Sequence, residues 1–182
     1  MPRVRVEPVA SDATIDVTAM TGCRWTDDAA VTSEFTLPES LPRRHEACLH
    51  DLLTALSEVG GVAVVVLVGS HAGGHGDALS DIDLLIFAAD ESFDPVWSRR
   101  HQVHGPGAVV CWDTIDPVRP GVGAHRWVGA DGVLVETLIA TVTSGVRVAS
   151  PAIPILVPST CSITCRSDRL IDANSPPAHR IR

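Results

Sequence analysis

Asp81 and Asp83 stand two positions apart at the head of an apolar run that ends at Phe87. Side chains alternate between the faces of a strand, so residues at i and i+2 share a face and lie a few ångströms apart. Two such carboxylates repel unless a cation lies between them, and a hard divalent ion such as Mg²⁺ is the usual partner. Upstream of Asp81, across ten intervening residues, a second feature invites an anion: Gly69-Ser70 closes the apolar run Val62–Val68. Glycine permits close backbone approach, and a short helix opening there aims free N–H groups at a phosphate.

These groups need elements to hold them. Val62–Val68 is β-branched apart from Ala63 and Leu67 and apolar on both faces, which predicts a central buried strand. Residues 42–59 predict a helix: Pro42 suits the first turn, Leu49, Leu52, Leu53, Leu56 and Val59 form an apolar stripe, and Gly60-Gly61 stops it. His45 and His50 read as solvated positions beside that stripe. Residues 71–79 predict a short helix or, because Gly73, Gly74 and Gly76 weaken it, a loop with one helical turn, with His71 and His75 as polar residues at the rim of a cleft or as phosphate contacts. A helix is expected from Phe93 to His104, with Val96 and Val103 facing the core and Arg99 and Arg100 solvated or steering a triphosphate. Ala108–Ile115 and Val133–Ile139 predict further strands, the latter after the turn signal Ala130-Asp131-Gly132. Glu136 is the one acid inside its apolar run. A charge there is expensive to bury unpaired, so it lies on an exposed face or faces a cation.

Gly69-Ser70-x-Ala72-x-Gly74, followed by Ser80-Asp81-Ile82-Asp83-Leu84, resembles the signature of the DNA polymerase β-like nucleotidyltransferase superfamily, and within it the minimal and aminoglycoside nucleotidyltransferase-like proteins. Gly73 departs from the pattern, because many minimal members carry Arg there. The resemblance implies an α+β fold, a mixed sheet with helices packed on one side. It implies transfer of a nucleoside monophosphate from an NTP, with ATP the expected donor, to a hydroxyl, with release of pyrophosphate. Asp81 and Asp83 would hold two Mg²⁺ ions, and Gly69 and Ser70 would bind the β- and γ-phosphates. The third carboxylate of such sites would be Glu136, with Asp113 and Asp116 as competitors. Arg126 or Arg147 would neutralise developing charge. Minimal relatives also pair with small helical proteins as toxin–antitoxin modules, so a protein acceptor or a masked partner is the alternative to a small-molecule acceptor. A catalytically inactive relative is a third reading.

Composition narrows the field. The net charge of −8 argues against a large nucleic-acid footprint. All fourteen basic residues are arginine, which excludes a lysine nucleophile or Schiff base. Cys23, Cys48, Cys111, Cys161 and Cys165 form no paired zinc spacing and read as free thiols of a reducing cytoplasm. No apolar run reaches the ~18–20 residues of a membrane span, and no apolar stretch follows the N-terminal arginines as in a signal peptide. Three regions are expected: 1–38 as an extension, flexible or an accessory hairpin; 39–148 as the nucleotidyltransferase domain; and 149–182 as an irregular tail broken by Pro151, Pro154 and Pro158.

Overall fold

Val62–Val68 is strand β2, and six of its seven residues are buried, as a run apolar on both faces requires. The computed structural model describes residues 35, 37–104, 107–115, 120–148 and 151–156, and the backbone of a strand pair joining Thr14–Ile15 (β1) to Cys165–Arg166 (β8). The other elements are α1 (Arg43–Ser57), α2 (Gly69–Ala72), β3 (Ile82–Ala88), α3 (Phe93–Ser98), β4 (Ala108–Ile115), β5 (Val122–Gly129), β6 (Leu134–Thr141) and β7 (Ile153–Leu156). Six strands form one sheet in the order β4-β5-β6-β3-β2-β7. Only the β3–β6 pair is parallel; the other neighbours run antiparallel. This is an α+β architecture with a mixed sheet.

The two faces of the sheet bury different sets. On one, Val65, Leu67, Ile82, Leu84, Ile86, Val135, Ile139 and Trp127 pack with the α1 stripe of Leu49, Leu52, Leu53 and Leu56 and with Val96 of α3. On the other, Val64, Val66, Phe87, Val122 and Ala140 are covered by Val142, Val148 and Ala152 from the segment before β7. That cover stops short of one end of the sheet. There Val68, Asp83, Glu136 and Arg126 are only partly buried.

Several local expectations are corrected. His45 is fully buried rather than solvated, and its Nε2 lies 2.8 Å from the Ser80 carbonyl. The site helix starts at Gly69 itself and lasts four residues, followed by a bonded turn from 73 to 76, so of the two readings the loop with one helical turn holds and the helix over 71–79 does not. Residues 93–104 are not one helix. The Arg99 N–H reaches back to the Val96 carbonyl, the Ser98 hydroxyl donates to the Pro95 carbonyl, and Arg100 donates to the Trp97 carbonyl, so the chain tightens into a 3-10 turn at Arg100–Gln102. Pro154 does not prevent a strand: β7 pairs with β2 alone, at the sheet edge, where a missing N–H is tolerated.

Candidate active site

The strand registers place five residues in one row across five strands: Val68, Asp83, Glu136, Arg126 and Trp112. Directly opposed residues share a face. Asp83 and Glu136 are therefore neighbours on the face away from α1. Asp81 lies two residues before Asp83, just ahead of β3. Burial pushes the Asp83 carboxyl above its ordinary range, and the charges of Asp81 and then Glu136 push it further. Asp83 thus feels both of the other acids.

Gly69 makes this crowding fit. It follows Val68 with φ +70°, a left-handed conformation that favours glycine, and a Cβ added there would overlap the Asp83 carboxylate. The glycine brings the strand-to-helix turn flush against the acid. Ser70 comes next; its Oγ is enclosed and finds no hydrogen-bond partner among the described residues. Its carbonyl accepts from the N–H groups of His75 and Gly76, which fixes the turn. Beneath it, His71 is buried against His45, ring centroids 4.7 Å apart. Burial, and secondarily His45, lowers the His71 pKa. Through its contact with the Ser80 carbonyl, His45 anchors the residue before Asp81 to α1.

Glu136 is engaged by Arg126, whose Nη2 donates to Oε1 at 2.6 Å. Arg147 is exposed and outside this row. Asp113, the competitor for the third acid, faces the opposite side of the sheet. It pairs in register with His125, accepts two hydrogen bonds from Arg100, and has its carboxyl held down at about 2, chiefly by Arg100. Arg100 also lies over the Trp97 ring, so it is neither solvated nor near the acid cluster. Asp116 lies outside the described residues.

Two features of the site went unseen in the sequence: the anchoring role of His45 and the Arg126–Glu136 pair. His45 precedes Leu49 by four positions, which continues the buried stripe of α1 and was the available signal. The Arg126–Glu136 pair depends on the register between β5 and β6, which no local pattern encodes.

The donor set, carboxylates alone, fits a hard divalent cation better than a thiophilic one. A cavity of about 390 Å³ lies between α1, the turn after α3 and the end of β5 with the loop that follows it, lined by Cys48, Asp51, Trp127 and Asp131. Among the described residues, no helix is long and apolar enough to cross a membrane.

Comparison with known proteins agrees with the geometry. Residues 49–114 match the family model of the nucleotidyltransferase domain, just over a third of the chain. Gly69, Ser70, Asp81 and Asp83 fall inside the match, while Arg126 and Glu136 fall beyond it. No curated protein matches the chain significantly. The family supports nucleotidyl transfer as the general activity and an NTP as a substrate. The matched stretch is similar to nucleotidyltransferase domains, and the mixed six-stranded sheet with helices is consistent with the fold of the DNA polymerase β-like nucleotidyltransferase superfamily.

Proposed function

We propose that the chain transfers a nucleoside monophosphate from an NTP, ATP first among candidates, to a hydroxyl acceptor, and that Asp81, Asp83 and Glu136 form the metal-binding and catalytic acids. The observation that carries this reading is the Asp83 carboxylate, pushed up by burial and two neighbouring acids and set against the bare Gly69 turn. An uncompensated acid of this kind is unfavourable for folding and is typical of a functional site.

Asp81 and Asp83 would hold two Mg²⁺ ions, with Glu136 the third acid; when bound, the metal supplies charge neutralisation and polarisation of the α-phosphate. Gly69 and Ser70 receive the β- and γ-phosphates, and the unpartnered Ser70 Oγ donates to a phosphate oxygen. The acceptor hydroxyl attacks the α-phosphorus as the bond to pyrophosphate breaks, and its proton passes to the carboxylate cluster. Arg126 steadies Glu136 and offers positive charge on the acceptor side of the row. The direct test is pyrophosphate release as Mg²⁺ and NTP are titrated with candidate acceptors. Asp81→Asn and Asp83→Asn abolish release while the fold persists; release that survives both substitutions defeats the assignment.

One observation favours a protein as the acceptor. The row ends on edge strand β4, where Val110 and Trp112 are 51% and 42% exposed beside Arg126. An apolar surface next to the site suits a docked partner better than a strongly hydrated aminoglycoside. NTP labelled at the α-phosphate distinguishes the two: the label ends on a protein band or on a small molecule.

A further inference from the structure

The opposite face of the same edge carries a second cluster of donors. His101 and His104 come from the 3-10 turn after α3 and the residues following it, and Cys111 comes from β4. One ligand atom from each lies within 4.8 Å of the others. Cys111 Sγ is 4.0 Å from His101 Nδ1. His101 Nε2, the other ring nitrogen, is 3.9 Å from Asp113 Oδ2.

We propose that His101, His104 and Cys111 form a binding site for a thiophilic divalent ion, Zn²⁺, with Asp113 as the outer partner that orients His101. Two imidazoles and a thiolate are borderline-to-soft donors, which select zinc over magnesium. Zinc bonds of about 2.0–2.3 Å require the three donor atoms to close by roughly 1 Å. Cys111 and His101 are exposed, so that movement displaces no core residue. Metal-bound histidines characteristically donate their second N–H to a carboxylate, and His101 meets that description on closing toward Asp113. Asp113 is itself fixed by Arg100 and His125, so it is a rigid anchor. Three protein ligands leave a fourth position for water or a fourth donor. The ion would tie the turn after α3 to edge strand β4. Cysteine spacing did not reveal the site because it uses one cysteine and two histidines brought together by the fold.

The test titrates Co²⁺, as a spectroscopic stand-in for Zn²⁺, into the full chain under thiol-free reducing conditions with Mg²⁺ in excess. One equivalent gives a thiolate-to-cobalt charge-transfer band, and Zn²⁺ displaces it. Cys111→Ser removes the band, and His101→Gln and His104→Gln each weaken binding at least tenfold. Asp113→Asn keeps the band and weakens binding about 10- to 100-fold. Asp81→Asn leaves the titration unchanged, which separates this site from the proposed catalytic acids. Circular dichroism confirms that each variant is folded. A band that persists in Cys111→Ser, or no band in the wild-type chain, overturns the proposal.

Discussion

Two consecutive rungs of the sheet carry aspartates on opposite faces and treat them in opposite ways. In the rung Val68, Asp83, Glu136, Arg126 and Trp112, Asp83 faces other acids and its carboxyl is pushed up. In the rung Leu67, Leu84, Thr137, His125 and Asp113, the aspartate receives Arg100 and His125 and is held down at about 2. Thr137 donates to the His125 carbonyl in this second rung. The same residue type is therefore a structural anchor on one face and an unsatisfied charge on the other. What separates them is the partner, and the partner is set by register.

That contrast breaks first at Asp83. Asp83→Asn removes a charge that repels Asp81 and Glu136 and keeps the side-chain shape. Turnover is expected to fall by more than ~100-fold, beyond the loss usual for an outer-shell metal contact. The thermal midpoint without Mg²⁺ is expected to hold or rise, as when a strained functional group is neutralised. Asp113→Asn does the reverse, lowering the midpoint. Thermal denaturation of both variants, with and without Mg²⁺, checks the pair. A fall in the Asp83→Asn midpoint as large as that of Asp113→Asn would remove the distinction.

Gly69→Ala tests whether the turn must stay flush with the acid. The left-handed φ alone costs about 1–2 kcal/mol for a residue with a Cβ, and the added methyl overlaps the Asp83 carboxylate. A fall of several degrees is expected, at ~2–4 °C per kcal/mol for a chain of this size. NTP binding weakens with it, because the turn carries Ser70 away from Asp83. Gly74→Ala is the control: its φ is similarly positive at +72°, but an added Cβ there meets nothing within 4 Å. It loses stability without losing binding.

How far the sequence led depends on how local each cause was. Buried strands, the α1 stripe and the Gly69-Ser70 to Asp81-x-Asp83 spacing are carried by neighbouring residues, and all of these elements lie where the pattern puts them. Asp113 could not be separated from Glu136 in the same way. Both sit in strands, and only the parallel pairing of β3 with β6 and the antiparallel pairing of β4 with β5 put them on opposite faces. His45 was misread because histidine is usually solvated, although here its ring has the Ser80 carbonyl to satisfy it. The break after α3 arises from side chains taking the helix carbonyls, a competition that periodicity does not register.

Arg126→Gln sharpens the first rung from its cationic end. The Arg126–Glu136 pair is partly exposed, with side-chain exposures of 24% and 40%, so its loss is worth only ~0.2–1 kcal/mol, less at high salt. Glu136 then joins Asp81 and Asp83 without compensation. Mg²⁺ is expected to bind more tightly and to stabilise the variant more than the wild type. Calorimetric titration of Mg²⁺ into both proteins measures this, and unchanged affinity would mean that Arg126 and the metal do not share Glu136.

The smallest effect is the pH dependence, and it has opposite signs on the two rungs. His71 and His125 have pKa values lowered from 6.5, chiefly by burial. The unfolded chain therefore takes up protons there before the folded one, so stability is full above about 6.5 and falls as pH drops below it. Asp113, held at about 2 against an ordinary 3.8, contributes stability above 3.8 that is lost as pH falls toward 2. Asp83 runs the other way: its raised carboxyl takes up a proton in the folded state first, so falling pH relieves the first rung between its raised value and 3.8. Thermal midpoints measured from neutral pH downward should show the histidine limb in the wild type, and His71→Gln should flatten part of it. Asp83→Asn should steepen the decline at acidic pH, because it removes the one group here that gains from protonation; an unchanged slope would show that Asp83 is not crowded by its neighbours.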